Sequence, residues 1–242
     1  MSGPGVRTAH RTKGVRSATL TTQREDIVIT GAGLVTSLGL DRESTWAAIL
    51  RGECGVGPLR HVESVLDPDK GGGEVKESGD RPGEAPPREV RLLRRAIDEA
   101  MRDAAIEGAS PCAPDRCAIV LGTSLHGMRH GGEFLRFGDA TSLSRFLAGA
   151  TLAAATRGIH ADGLRTTTCS ACSSGLASVA VAHTLLACGE ADLVIAGGYD
   201  PISEYSYAGF NSMRLVSATQ LKPFATSRDG MKVAEGYAVV VL

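Results

Sequence analysis

Two cysteines, Cys169 and Cys172, stand three residues apart in TTTCSACSSGLASVAVAHTLLACGEADLVIAGG, residues 166–198. Thiols at this spacing serve zinc, redox or nucleophilic chemistry. A structural zinc site needs two further ligands, but the chain has no second CxxC, and Cys112 and Cys117 stand at another spacing beside another strand. A redox pair normally occupies a strand-to-helix junction, as this one does, so position alone leaves that reading open. A nucleophile at the start of a helix accounts for more of the segment. Cys172 falls at the tight turn where strand-like RTTTCSA meets a helix, whose unpaired N–H groups and positive dipole end favour a thiolate. Ser173, Ser174 and Gly175 are small enough to admit a substrate, the geometry that serine hydrolases use for the same purpose. Cys54 and Cys188 fit the role of small buried hydrophobes better.

The chain that must position this turn has 242 residues, 43% hydrophobic, with 26 basic against 27 acidic side chains. That suits one sizeable α/β domain or two small ones. Near-neutral charge argues against nucleic acid or an acidic membrane surface as the main partner, and the excess of Arg over Lys, 21 to 5, reads as coding bias more than as a binding signal. No run approaches the roughly 18 apolar residues of a membrane span. Six cysteines without a preceding apolar leader are expected to be reduced thiols of a cytoplasmic protein. Residues 1–24 carry Arg7, Arg11, Lys13, Arg16 and Arg24 but no acid, and are expected to form a disordered basic tail rather than a targeting segment. The ordered domain is expected over 25–242.

The elements alternate. Ile27–Thr30 is expected to form a buried strand, GAG the turn after it, and Asp41 the N-cap of a helix whose apolar face is Trp46, Ile49 and Leu50, ended by Gly52. Residues 67–89 are glycine, proline and charge, hence a surface loop. Leu92, Leu93, Ala96, Ile97, Ala100, Met101, Ala104 and Ala105 recur at helical spacing. CAIVLGTS (117–124) is a buried strand, and a helix is expected around Leu143–Thr156. From Ser173 to Cys188 the few polar side chains leave almost no solvent face, so a buried helix stopped by Gly189 is expected, with His183 a satisfied core residue. ADLVIAGG and DGMKVAEGYAVVVL supply two more buried strands. Continuous apolar strands between helices predict a mostly parallel sheet covered on both faces.

The same segment resembles the active-site block of the β-ketoacyl-(acyl carrier protein) synthases, the elongating condensing enzymes of fatty acid and polyketide assembly. The resemblance rests on Ser170-Ala171-Cys172-Ser173-Ser174-Gly175, then GEADLVIAGG, LKPF, SRDG and AEGYAVVVL. VITGAGLVTSLG and GVGPL resemble the family's opening strand and loop. These blocks run in order from about residue 26 to the last residue. The resemblance implies the N-terminal βα half of a thiolase-like layered fold (α-β-α-β-α when complete). It implies Cys172 as the acyl nucleophile, its backbone N–H as one oxyanion donor, and Cys169 as a bystander. It also implies no cofactor and no metal, an acyl carrier protein bearing acyl and malonyl groups as partner, and a homodimer paired along Arg165–Thr168 or a heterodimer with a ketosynthase-like subunit.

The pattern has breaks. Ala225 stands where the family carries an acid after Pro-Phe, and the link from Ser217 to Pro223 is shorter than in many relatives. Ala234-Glu235-Gly236-Tyr237-Ala238 replaces Gly-Glu-Gly-Ala-Gly, placing bulk where glycine allows close packing. His61, His126, His130, His160 and His183 match none of the family's decarboxylation histidines. The apolar ending AVVVL leads to the expectation that this chain is the N-terminal half of a longer enzyme. The alternative to a ketosynthase is a non-catalytic partner subunit resembling the chain-length factors, which lack the nucleophilic cysteine; thiolases share the fold but not these blocks.

Overall fold

The computed structural model describes residues 26–62, 70–77, 86–106 and 111–242. The basic tail and part of the expected 67–89 loop lie outside them. The strands are β1 (Gly31–Thr36), β2 (Cys117–Gly122), β3 (Arg165–Thr168), β4 (Leu193–Asp200) and β5 (Gly236–Val241), in one sheet ordered β1-β5-β4-β2-β3. β2 pairs in parallel with β3 and β4, and β5 runs antiparallel between β1 and β4. The helices are α1 (Arg42–Leu50), α2 (Arg88–Asp103), α3 (Met128–Phe137), α4 (Ala140–Arg145), α5 (Ala148–Ala155), α6 (Ser174–Ala187) and α7 (Glu204–Ser212). No helix among the described residues is long and apolar enough to cross a membrane.

Alternation along the strands sorts the side chains onto two helical layers. Ile119 and Leu121 of β2, Ile195 and Tyr199 of β4, and Tyr237, Val239 and Val241 of β5 pack with Leu92, Leu93, Ala96 and Ile97 of α2. The opposite face offers smaller residues, Ala118 and Val120 of β2 with Val194 and Ala196 of β4, to Ala182 of α6. α6 covers β4, β2 and β3 but leaves that face of β1 and β5 open. Tyr237, which stands in the family's glycine-rich strand, is buried on the α2 side, where its ring stacks on Tyr199 with centroids 6.4 Å apart. The extra bulk therefore enlarges the α2 core and leaves the α6 face of β5 to small Ala238.

Several expectations are corrected. The first strand is Gly31–Thr36, and Val28 and Ile29 are about 60% exposed (59% and 61%). GAG is not a turn: a methyl group at Gly31 or Gly33 would stand 2.2 or 1.9 Å from the carbonyl oxygens of Ala100 and Ala96, so these glycines let α2 lie against the strand. The same helix closes the sheet edge, because Asp103 and Glu99 accept from the N–H groups of Ala32 and Leu34, each at 2.9 Å. Asp41 caps α1 as expected, accepting from Ser44 N–H at 2.7 Å, but α1 buries Thr45 and Ala48, and Trp46, Ile49 and Leu50 face outward. Gly71–Val75, expected on the surface, are buried, because Gly72 and Gly73 bridge to Gly57 and Ala234 at backbone contact. Three short helices, α3 to α5, replace the single one expected near 143–156. Cys112 and Cys117 form a disulfide rather than free thiols, brought together by the tight turn over Pro114–Arg116 that enters β2.

α6 begins and ends near its expected limits, with Gly189 in the left-handed conformation beyond its last turn. Its expected burial does not hold: it buries Ser174, Ser178 and Ala182, while Leu176 is 74% exposed and His183 and Cys188 face outward. The reason is one-sided contact with the sheet, since nothing among the described residues packs over the outer face.

The buried histidine is His130 on α3. Its Nε2 lies 2.5 Å from Glu89 Oε1 and its Nδ1 2.9 Å from Glu133 Oε2. Burial opposes charge on both His130 and Glu89, yet the hydrogen bond and attraction between them prevail, holding His130 above its ordinary range and Glu89 below its own. A raised histidine contributes stability fully below its unfolded value near 6.5 and loses it as pH rises through the folded value. A depressed glutamate contributes above about 4.5 and loses it as pH falls through its own folded value. The pair therefore stabilises most between those limits. His130→Gln is expected to cost more at pH 6 than at pH 9 in urea titrations, and a pH-independent cost would show that the imidazole is neutral.

Candidate functional site

β3 ends at Thr168, the chain crosses residues 169–173, and α6 starts at Ser174 with Ser173 as its N-cap residue. Cys172 thus stands immediately before the cap of a helix of 14 residues, and its side chain is exposed. The turn is tight because Ala171 adopts φ +49°, a conformation costing a non-glycine residue about 1–2 kcal/mol. Serines hold it there. Ser174 Oγ donates to the Ala171 carbonyl at 2.6 Å and accepts from Ser170 N–H at 3.0 Å. Ser173 Oγ donates to the Ser170 carbonyl at 2.8 Å, and the hydroxyl of Ser124, in the loop after β2, reaches the Ala171 carbonyl at 2.6 Å.

The helix is seated by small residues. A methyl group at Gly122 would meet the Ser174 carbonyl oxygen at 2.0 Å, and one at Gly198 would meet Gly175 Cα at 2.8 Å. Ser178, fully buried, accepts from Gly197 N–H at 3.0 Å and donates back to that residue's carbonyl at 2.5 Å. The first turn of α6 therefore lies on the backbones of β2 and β4, at the C-terminal ends of the parallel strands, where open α/β sheets place ligands. Gly122→Ala is expected to cost about 2–3 kcal/mol by overpacking against backbone and to slow alkylation of Cys172 by shifting that turn. Urea denaturation and timed labelling check both, and unchanged stability would mean that the helix start is free to move.

Beside the turn lies a cleft of about 640 Å³, lined by Cys172, Leu176, Val179, Gly198, Asp200 and the open face of β1 and β5 among others. It is mostly apolar, with Asp200 and Thr36 at the Cys172 end and Arg42 farther along, where Asp103 holds the Arg42 guanidinium above its ordinary range. No histidine lines it among the described residues. Cys169 is also exposed and free, as are Cys54 and Cys188, so these last two are not the buried hydrophobes expected. No group of three or more His, Cys, Asp or Glu side chains among the described residues could hold a metal ion. Sequence reasoning singled out Cys172 but missed Ser124 and Asp200, whose roles depend on strand order rather than on any local motif.

A thiol on a strained strand-to-helix turn, above a sheet with helices on both faces, agrees with the N-terminal βα half of a thiolase-like fold, the fold of the solved ketosynthases that it resembles. Residues 24–242 match the family described as "Beta-ketoacyl synthase, N-terminal domain", and the chain belongs to the beta-ketoacyl synthase family. Among curated relatives, the 3-oxoacyl-[acyl-carrier-protein] synthase 2 of Staphylococcus aureus (strain COL) is 27% identical over 241 residues, covering 91% of this chain and 58% of the relative. The enzyme of that name from Synechocystis sp. (strain ATCC 27184 / PCC 6803 / Kazusa) is 26% identical over 242 residues, with the same coverage of 91% and 58%. The solved ishigamide ketosynthase/chain length factor superposes with a TM-score of 0.74 at 23% identity, covering 88% of this chain and 57% of the other. The chain thus spans little more than half the length of these proteins.

Proposed function

We propose that this chain carries the acyl-accepting half of a β-ketoacyl-ACP synthase, with Cys172 as the nucleophile. The observation that supports the reading is the position of Cys172, at the strained turn before α6 and open to an apolar cleft, within a chain that matches the family along nearly its whole length. In the proposed reaction the Cys172 thiolate attacks the thioester of an acyl carrier protein and expels the carrier thiol, leaving an acyl-cysteine. The Cys172 backbone N–H, at the helix start, is one donor to the oxyanion formed on the way. Malonyl carrier then loses carbon dioxide, its carbanion attacks the acyl carbonyl, and the Cys172 thiolate leaves. The partners are acyl carrier protein and a second ketosynthase subunit. β3 lies at the sheet edge, and its threonine-rich outer side favours pairing with the same strand of another copy.

No histidine lines the cleft among the described residues, and a positioned acid/base group is worth about 10²–10⁴-fold. The 242-residue chain alone is therefore expected to accept acyl groups slowly and to release no carbon dioxide from malonyl carrier. The test follows acyl transfer, carbon dioxide release and oligomeric state by light scattering on this chain, with a full-length relative as the positive control. Carbon dioxide release by the chain alone would show that the reading of the cleft is wrong. The second reading is a chain-length-factor-like subunit, suggested by a structural neighbour that pairs a ketosynthase with such a factor. The presence of Cys172 favours the catalytic reading.

A further inference from the structure

We propose that Asp200 is a positioning residue for the Cys172 turn, acting through the loop that follows β2. The inference rests on Cys172 being the acyl nucleophile. Asp200 ends β4 and lines the same cleft as Cys172. One of its carboxylate oxygens, Oδ1, accepts three bonds from consecutive residues of that loop: Thr123 Oγ1 at 2.8 Å, Ser124 N–H at 2.9 Å and Leu125 N–H at 2.8 Å. Thr123 Oγ1 in turn accepts from His126 N–H at 2.9 Å. Four consecutive residues are thus folded around one carboxylate. Charge-assisted bonds of this kind are shorter and stronger than neutral ones.

The loop held in this way carries Ser124 to the nucleophile turn. Ser124 Oγ donates to the Ala171 carbonyl at 2.6 Å and lies 3.3 Å from Ser174 Oγ. Ala171 is the residue at φ +49° that directly precedes Cys172. Alanine has no intrinsic preference for that conformation, so the turn depends on what grips its carbonyl, and the grip from outside the turn comes from Ser124. The contacts therefore run from Asp200 through Ser124 and Ala171 to the backbone that aims the thiol. None of these residues needs to touch substrate to matter, because a misplacement of about 1 Å at a reacting group costs on the order of 10²-fold.

The test uses the full chain and measures the pre-steady-state rate of Cys172 acylation by an acyl-carrier thioester. Acylation is followed as a burst whose amplitude counts the competent sites, so that partial unfolding lowers the amplitude and not the first-order rate constant per site. Asp200→Ala is expected to slow acylation per site by about tenfold or more with substrate affinity unchanged. Asp200→Asn, whose amide oxygen can accept the same three bonds, is expected to recover to within about threefold of wild type. Ser124→Ala, which cuts the chain of contacts at its other end, should reproduce the Asp200→Ala effect. A wild-type rate per site in Asp200→Ala or Ser124→Ala would overturn the proposal, as would Asp200→Asn being as slow as Asp200→Ala. If Cys172→Ala accepts acyl groups as fast as wild type, the nucleophile reading has failed instead.

Discussion

Replacing Cys172 with alanine is expected to lower acyl transfer from a carrier thioester onto the protein by about 10³-fold or more, the scale on which an enzyme loses its nucleophile. The unfolding midpoint should stay near that of wild type, because the side chain is exposed and its removal opens no core cavity. The companion measurement is alkylation by iodoacetamide at neutral pH with sites mapped by mass spectrometry. Cys54, Cys169, Cys172 and Cys188 are all exposed and free, so accessibility does not choose among them. Cys172 alone stands on the strained turn at the start of α6 and lines the apolar cleft, and it should be labelled first. Faster labelling of Cys169 would bring back the redox pair.

The second large effect lies away from the cleft. Arg88, at the first position of α2, places Nη2 2.7 Å from Glu235 Oε1 and 2.5 Å from the Val75 carbonyl, while Glu235 also accepts from Val75 N–H at 2.7 Å. The two side chains are 4% and 0% exposed. This cluster ties α2, the buried Gly71–Val75 segment and the approach to β5 at one point. Arg88→Ala would leave a carboxylate in the interior without its cation, at a cost of about 3–5 kcal/mol. Arg88→Met combined with Glu235→Leu should recover much of that loss, because it removes the stranded charge as well as the pair. Urea unfolding of the single and double variants checks both, and a loss below about 1 kcal/mol in the single variant would place the pair among solvated ones.

The contrast between Cys172 and Asp200 shows how far the sequence could be read. The placement of Cys172 at a strand-to-helix turn was legible because its surroundings are local: small residues on one side, a helix start on the other, all within a few positions. The α2 periodicity and the apolar runs of β2, β4 and β5 were legible for the same reason, since burial on a helix or strand leaves a short-range pattern. What failed depended on distant partners. The first strand moved from Ile27–Thr30 to Gly31–Thr36 because α2 presses on Gly31 and Gly33 from some seventy residues away. His183 and His130 exchanged roles because an apolar helix need not be covered on every side, while Glu89 lies 41 residues from the histidine it holds. The expectation that Cys54 and Cys188 were buried rested on residue type alone. Asp200 carries no local signal, since its three donors lie 75 to 77 residues earlier in the chain.

The place of β5 has a consequence for how this chain is made. Of the five described strands it comes last in the sequence, yet it lies between β1, the first of them, and β4. Until Gly236–Val241 has left the ribosome, β1 has no strand to pair with, and α2 has only part of the face that it covers. Until then the nascent chain holds two unjoined fragments, one around β1 and α2 and one around β2, β3, β4 and α6. Long-range pairing of this kind is slow and leaves strand edges exposed meanwhile. A chain cut just before residue 236 would lose not an edge strand but the one that joins β1 to the rest of the sheet. Such a nascent chain is expected to be a chaperone client until Gly236–Val241 has emerged.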